Sequence, residues 1–83
     1  MNADAKKLID IISKNTDAGY DLRIDGLEAH IVDGVIISDN YAIEINLNDD
    51  IQIIKQDLME LYIEDEEGLK YIIEFTVFKK IIY

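Results

Sequence analysis

Catalytic chemistry finds few of its parts in this chain. The one histidine, His30, sits in an alternating run beside Glu28. The spacing predicts a strand there, where a lone imidazole packs or faces solvent far more often than it acts as a general base. Ser13 falls on the predicted helix, Ser38 beside a turn, and there is no cysteine. No nucleophile therefore has a base at hand, and disulfides and thiolate metal sites are excluded. The four glycines, Gly19, Gly26, Gly34 and Gly68, are isolated, so no phosphate-cradling loop forms. Asp17 through Glu28 has the length of an EF-hand loop, but Leu22 stands where glycine makes the bend and Gly19 where a carboxylate is needed. The expectation is a protein that binds rather than catalyses, with no catalytic residue, metal or cofactor.

The residues with the most distinctive spacing are acidic. Residues 56–68 hold six acids and no base, ending in Glu64-Asp65-Glu66-Glu67. On a strand, Glu60, Tyr62 and Glu64 share one face at about 6.6–6.8 Å per step, comparable to phosphates along a nucleic-acid strand. Asp57 joins them from the preceding turn. The expected partner-binding set is thus Asp57, Glu60, Tyr62, Glu64, Asp65, Glu66 and Glu67, with Tyr62 as an aromatic anchor. The bland alternative is a solvated hairpin tip, as charge runs usually are.

The elements that must position these residues follow from periodicity. Asn2 caps a helix whose stripe is Ala5, Leu8, Ile9, Ile11 and Ile12, with Lys14 and Asn15 closing it and 16–19 as a loop. The period then changes to alternation. Tyr20, Leu22 and Ile24 lead to Asp25-Gly26; Leu27, Ala29 and Ile31 lead to Asp33-Gly34; Val35-Ile36-Ile37 follows. Asp-Gly between β-rich runs is the strongest short-range hairpin signal, because both turn positions want positive φ. Asp39-Asn40 is a softer turn before Tyr41, Ile43, Ile45 and Leu47. Residues 48–58 fit either a short helix, with Asp49 and Gln52 as a capping box, or a strand from Ile51 and Ile53; the helix is favoured. Met59, Leu61 and Ile63, the turn 65–68, and Tyr71, Ile73, Phe75 and Val77 make a last hairpin.

The fold expected is α+β, an antiparallel β-meander of about five to six strands with an N-terminal helix packed on one face, in a single domain over 1–83. One short helix cannot cover a second apolar face. Either the sheet curls on itself or a homodimer forms, with Ile36, Ile72 and Phe78 as the expected dimer face.

Composition bounds the partners. Seventeen of 83 residues are isoleucine, so disorder is not expected despite a net charge of −10. Residues 15–68 carry fifteen acids against Arg23 and Lys55, a local net of −13 (15 − 2). That field repels nucleic acid and anionic lipid and attracts basic protein surfaces; its bland reading is solubility for an aliphatic chain. No apolar run exceeds three residues and Met1–Lys7 is polar, so neither a membrane span nor a signal peptide is read, and the cytoplasm is expected.

In size, charge, the opening Met1-Asn2 with its Leu8-Ile9, Ile11-Ile12, Lys14 helix, and the late patch Glu60–Glu67, the chain resembles the small acidic inhibitors that phages make against bacterial defence, of the anti-CRISPR and DNA-mimic type. The resemblance implies occupancy of a nucleic-acid site on a defence nuclease in the host cytoplasm. The alternatives are a self-associating structural or adaptor protein, and an immunity or antitoxin protein.

Overall fold

The computed structural model describes residues 1–77, which form one helix and seven strands. Helix α1 (Ala3–Asp17) begins where Asn2 Oδ1 accepts from the Ala5 N–H at 2.8 Å, with Asp4 in the positively polarised first turn. It buries Ala5, Leu8 and Ile12. The helix runs past Asn15 because Asn15 and Thr16 turn their side chains back onto the carbonyls of Ile11 and Ile12, so neither competes for the next turn. Gly19, at φ 97°, ends it.

The strands are β1 (Tyr20–Ile24), β2 (Leu27–Val32), β3 (Val35–Ser38), β4 (Glu44–Asn46), β5 (Gln52–Gln56), β6 (Glu60–Glu64) and β7 (Lys70–Val77). Both Asp-Gly turns have positive φ at each residue, as a type I′ hairpin requires. All pairing is antiparallel, in the order β4-β3-β2-β1-β7-β6-β5. This is not one continuous meander. Two meanders, β1–β4 and β5–β7, are joined where the first strand pairs with the last.

That order forces the sheet to curl. Laid flat, seven strands put β4 and β5 roughly 28–29 Å apart. The chain from Asn46 to Gln52 spans at most about 20–22 Å. The two edges therefore bend toward each other, and Ile45, Leu47 and Ile51 are buried in the same cluster as Ile24, Ile63 and Phe75. Curling is thus how the inner face closes.

The sheet has seven strands where five to six were expected, and two further expectations are corrected. Residues 48–58 hold a strand, not a helix: the capping box does not form, and Gln52–Gln56 pairs with β6, with a bulge at Ile54. Ile36 is a core residue with no exposed surface, so it takes no place on an outer dimer face. Ile72 lies half-buried on the outer face, and Phe78 lies outside the described residues.

Helix α1 also protects an edge. Asn2 Nδ2 donates to the Ile51 carbonyl at 2.8 Å, and Asp4 Oδ2 accepts from the Ile53 N–H at 2.9 Å. These are backbone groups on the side of β5 that faces away from β6, where unpaired groups invite foreign strands.

Candidate functional site

The expected acidic set divides in two. On the outer face of β6, Glu60, Tyr62 and Glu64 stand together, but their neighbours are not acidic alone. Register places Lys70 beside Glu64, Ile72 beside Tyr62 and Glu74 beside Glu60. Across β5, Lys55 Nζ lies 5.4 Å from the Tyr62 ring centroid and 3.5 Å from Asp57 Oδ2. The Tyr62 hydroxyl donates to Glu60 Oε2 at 3.1 Å. That hydrogen bond, then the Glu60 charge, holds the Tyr62 phenol above its usual pKa. The middle of this face is a shallow apolar depression of about 400 Å³ around Ile54, Tyr62 and Ile72. It is an aromatic patch with mixed charge at its rim, not a row of free carboxylates.

The hairpin tip behaves differently. Asp65 is structural: its Oδ1 accepts from the N–H groups of Glu67 (3.0 Å) and Leu69 (2.9 Å), closing the turn. Glu66 and Glu67 are exposed. The curl brings the β4 edge and the link to β5 against this tip, leaving a cleft of about 340 Å³. Five carboxylates line it (Glu44, Asp49, Asp65, Glu66 and Glu67), with no lysine or arginine among the described residues. Tyr71 lies in the same wall, its phenol pushed up first by burial and then by the charges of Asp65, Asp25 and Glu67.

Glu44 and Asp49 are the residues that sequence reasoning missed. They are twenty or so positions from Glu66, and only the curl of the sheet unites them. Asp57 and Glu60, at the opposite end of β6, do not belong to this cleft. His30 is solvent-exposed on β2 with Nε2 2.8 Å from Asp39 Oδ1. Among the described residues, no three His, Asp or Glu side chains converge to hold a metal ion, and no helix is long and apolar enough to cross a membrane.

No protein-family model matches the chain, and neither the curated proteins nor the solved structures compared with it gave a match.

Proposed function

We propose that this protein is an acidic inhibitor that binds a basic surface of another protein and blocks a nucleic-acid site there, as the resemblance to phage-encoded inhibitors of defence nucleases implies. The observation that carries this reading is the cleft between β4 and the β6–β7 hairpin, where five carboxylates gather with no base among the described lining residues. Gathered carboxylates steer a cationic partner toward the cleft, and salt weakens that attraction.

The test is capture of partners by the tagged protein from a bacterial lysate, with elution at low and then high salt and identification by mass spectrometry. The expected result is a nucleic-acid-binding protein released by salt. Capture should be lost when Glu44→Gln, Asp49→Asn, Glu66→Gln and Glu67→Gln are combined; Asp65 is spared because it builds the turn. Undiminished capture by that variant would sink the proposed site.

A second reading rests on exposed apolar groups: Ile54, beside Tyr62, is 52% exposed, and Leu58, in the β5–β6 turn, 93%. It makes the outer face of β5–β7 a self-association surface. It requires a dimer that survives high salt and is broken by Ile72→Asp.

A further inference from the structure

Strands β1 and β2 leave their shared turn as a regular hairpin and then part. Ile24↔Leu27 and Arg23↔Glu28 pair, and the register goes no further. Each strand nevertheless continues to pair on its other side, β1 with β7 through Tyr20↔Val77 and β2 with β3 through Val32↔Val35.

Alternation of ladder bonds shows where the backbone points. The Asp25 N–H donates to the Ile72 carbonyl at 2.9 Å. Asp21 and Arg23 therefore also address β7, while Tyr20 and Leu22 turn their backbone groups toward β2. On β2, the Glu28 carbonyl accepts from the Asp39 N–H at 2.9 Å. His30 and Val32 accordingly address β3, while Ala29 and Ile31 turn toward β1. The N–H and C=O groups of Tyr20 and Ile31 thus look into a widening gap, with no ladder partner among the described residues. Backbone groups of this kind are rarely left unpaired except to water.

Helix α1 passes behind the gap and makes it a cleft of about 610 Å³, within the roughly 300–1,000 Å³ usual for binding sites. Its inner wall is mainly apolar (Ile9, Ile12, Leu22 and Ile31, with Ser13 and Thr16 beside them). Its rim carries Asp21 and Glu28, the latter 3.5 Å from Arg23 Nη2, and among the described residues no lysine or arginine lines it. Open strand edges call for extended backbone. An apolar wall on one side accepts every second side chain, and an acidic rim on the other favours cations in between.

The geometry points to a second binding site, apart from the acidic cleft: the β1–β2 gap takes up an extended segment of a partner protein as an added strand, alternating aliphatic residues with lysine or arginine. A second copy of this chain is a poor occupant. Its net charge is −10, and acids outnumber bases two to one in its described strands, so self-pairing sets like charges together.

The probe is an end-blocked hexapeptide of alternating valine and lysine, titrated into the protein under heteronuclear NMR. Saturable shifts are expected at the amides of Tyr20, Leu22, Ala29 and Ile31, with slowed exchange at Tyr20 and Ile31. N-methylation of alternate peptide bonds should weaken binding about tenfold, the loss of one hydrogen bond or so. A valine–glutamate peptide should bind less well, and Asp21→Lys with Glu28→Lys should reverse that preference. Absence of saturable shifts up to millimolar peptide would overturn the inference. So would equal binding of the N-methylated peptide, shifts confined to Glu44, Asp49 and Glu66, or concentration-dependent protection of the same amides without peptide. The lysate experiment turns on other residues, so either site can fail alone.

Discussion

Asn2 performs two tasks with one side chain, and the two can be separated. Its Oδ1 caps α1, while its Nδ2 ties the helix start to Ile51 on β5. Asn2→Ala should cost about 1–2 kcal/mol, lowering Tm by about 4–8 °C per kcal/mol in a domain this size. Asn2→Asp keeps the cap acceptor but loses the donor, so it should fall between wild type and alanine in thermal unfolding. The tyrosines give a pH test. Tyr62 and Tyr71 are both raised above the ordinary value of about 10. A group held neutral in the folded state stabilises the fold below its unfolded pKa and loses that contribution as pH rises through the folded one. Stability should therefore decline from about pH 10 upward, and phenolate absorbance should show both residues titrating late. Glu60→Gln should bring Tyr62 back toward the ordinary value and leave Tyr71 where it is.

At the scale of elements, turn chemistry was the most readable part of the sequence. Aspartate followed by glycine suits two successive positive φ angles, and both such pairs form the expected hairpins. Gly26 has φ 80° with open space where a Cβ would sit. Gly26→Ala should thus cost about 1–2 kcal/mol from backbone strain alone, read as a lower Tm. Tyr41 presents the reverse case. It has φ 57° and is 74% exposed, so its ring offsets little of the strain. Tyr41→Asn should stabilise the fold by several tenths of a kcal/mol, since asparagine tolerates this conformation best after glycine. That turn also explains why β4 starts at Glu44: Ser38 and Asn40 side chains bond the N–H groups of Ile43 and Ala42. The segment 48–58 was misread because its apolar spacing fits both periods. Pairing with β6, only a short turn further on, and contact with the start of α1, 49 positions away, select the strand; the second partner is beyond the reach of local periodicity.

For the whole molecule, the curl decides what is inside. Ile36→Ala should cost about 2–5 kcal/mol by opening a cavity in the core. Ile72→Ala, on the outer face, should cost distinctly less by urea denaturation. Similar losses at both positions would contradict the curled arrangement. A net charge of −10 on 83 residues also strains the compact state by self-repulsion. Moderate salt should accordingly raise Tm even as it weakens capture of a basic partner.

The sequence by itself determined the helix and its cap, the hairpin turns, most of the inward apolar residues (Tyr41 and Ile36 among the exceptions) and the acidic surplus. Each of these depends on neighbours a few positions away, where periodicity and turn propensity act directly. Strand order was beyond its reach. Alternation says which face a residue takes but not which strand lies beside it, because backbone ladders are alike whatever side chains they carry. Only the tertiary structure joined β1 to β7 and drew the sheet into a curl. That curl buried Ile36, set Glu44 and Asp49 beside Glu66 and Glu67, and gave the Glu60–Glu64 stripe two lysines for company. The cause is geometric: a short link between the two edge strands cannot span a flat sheet of seven.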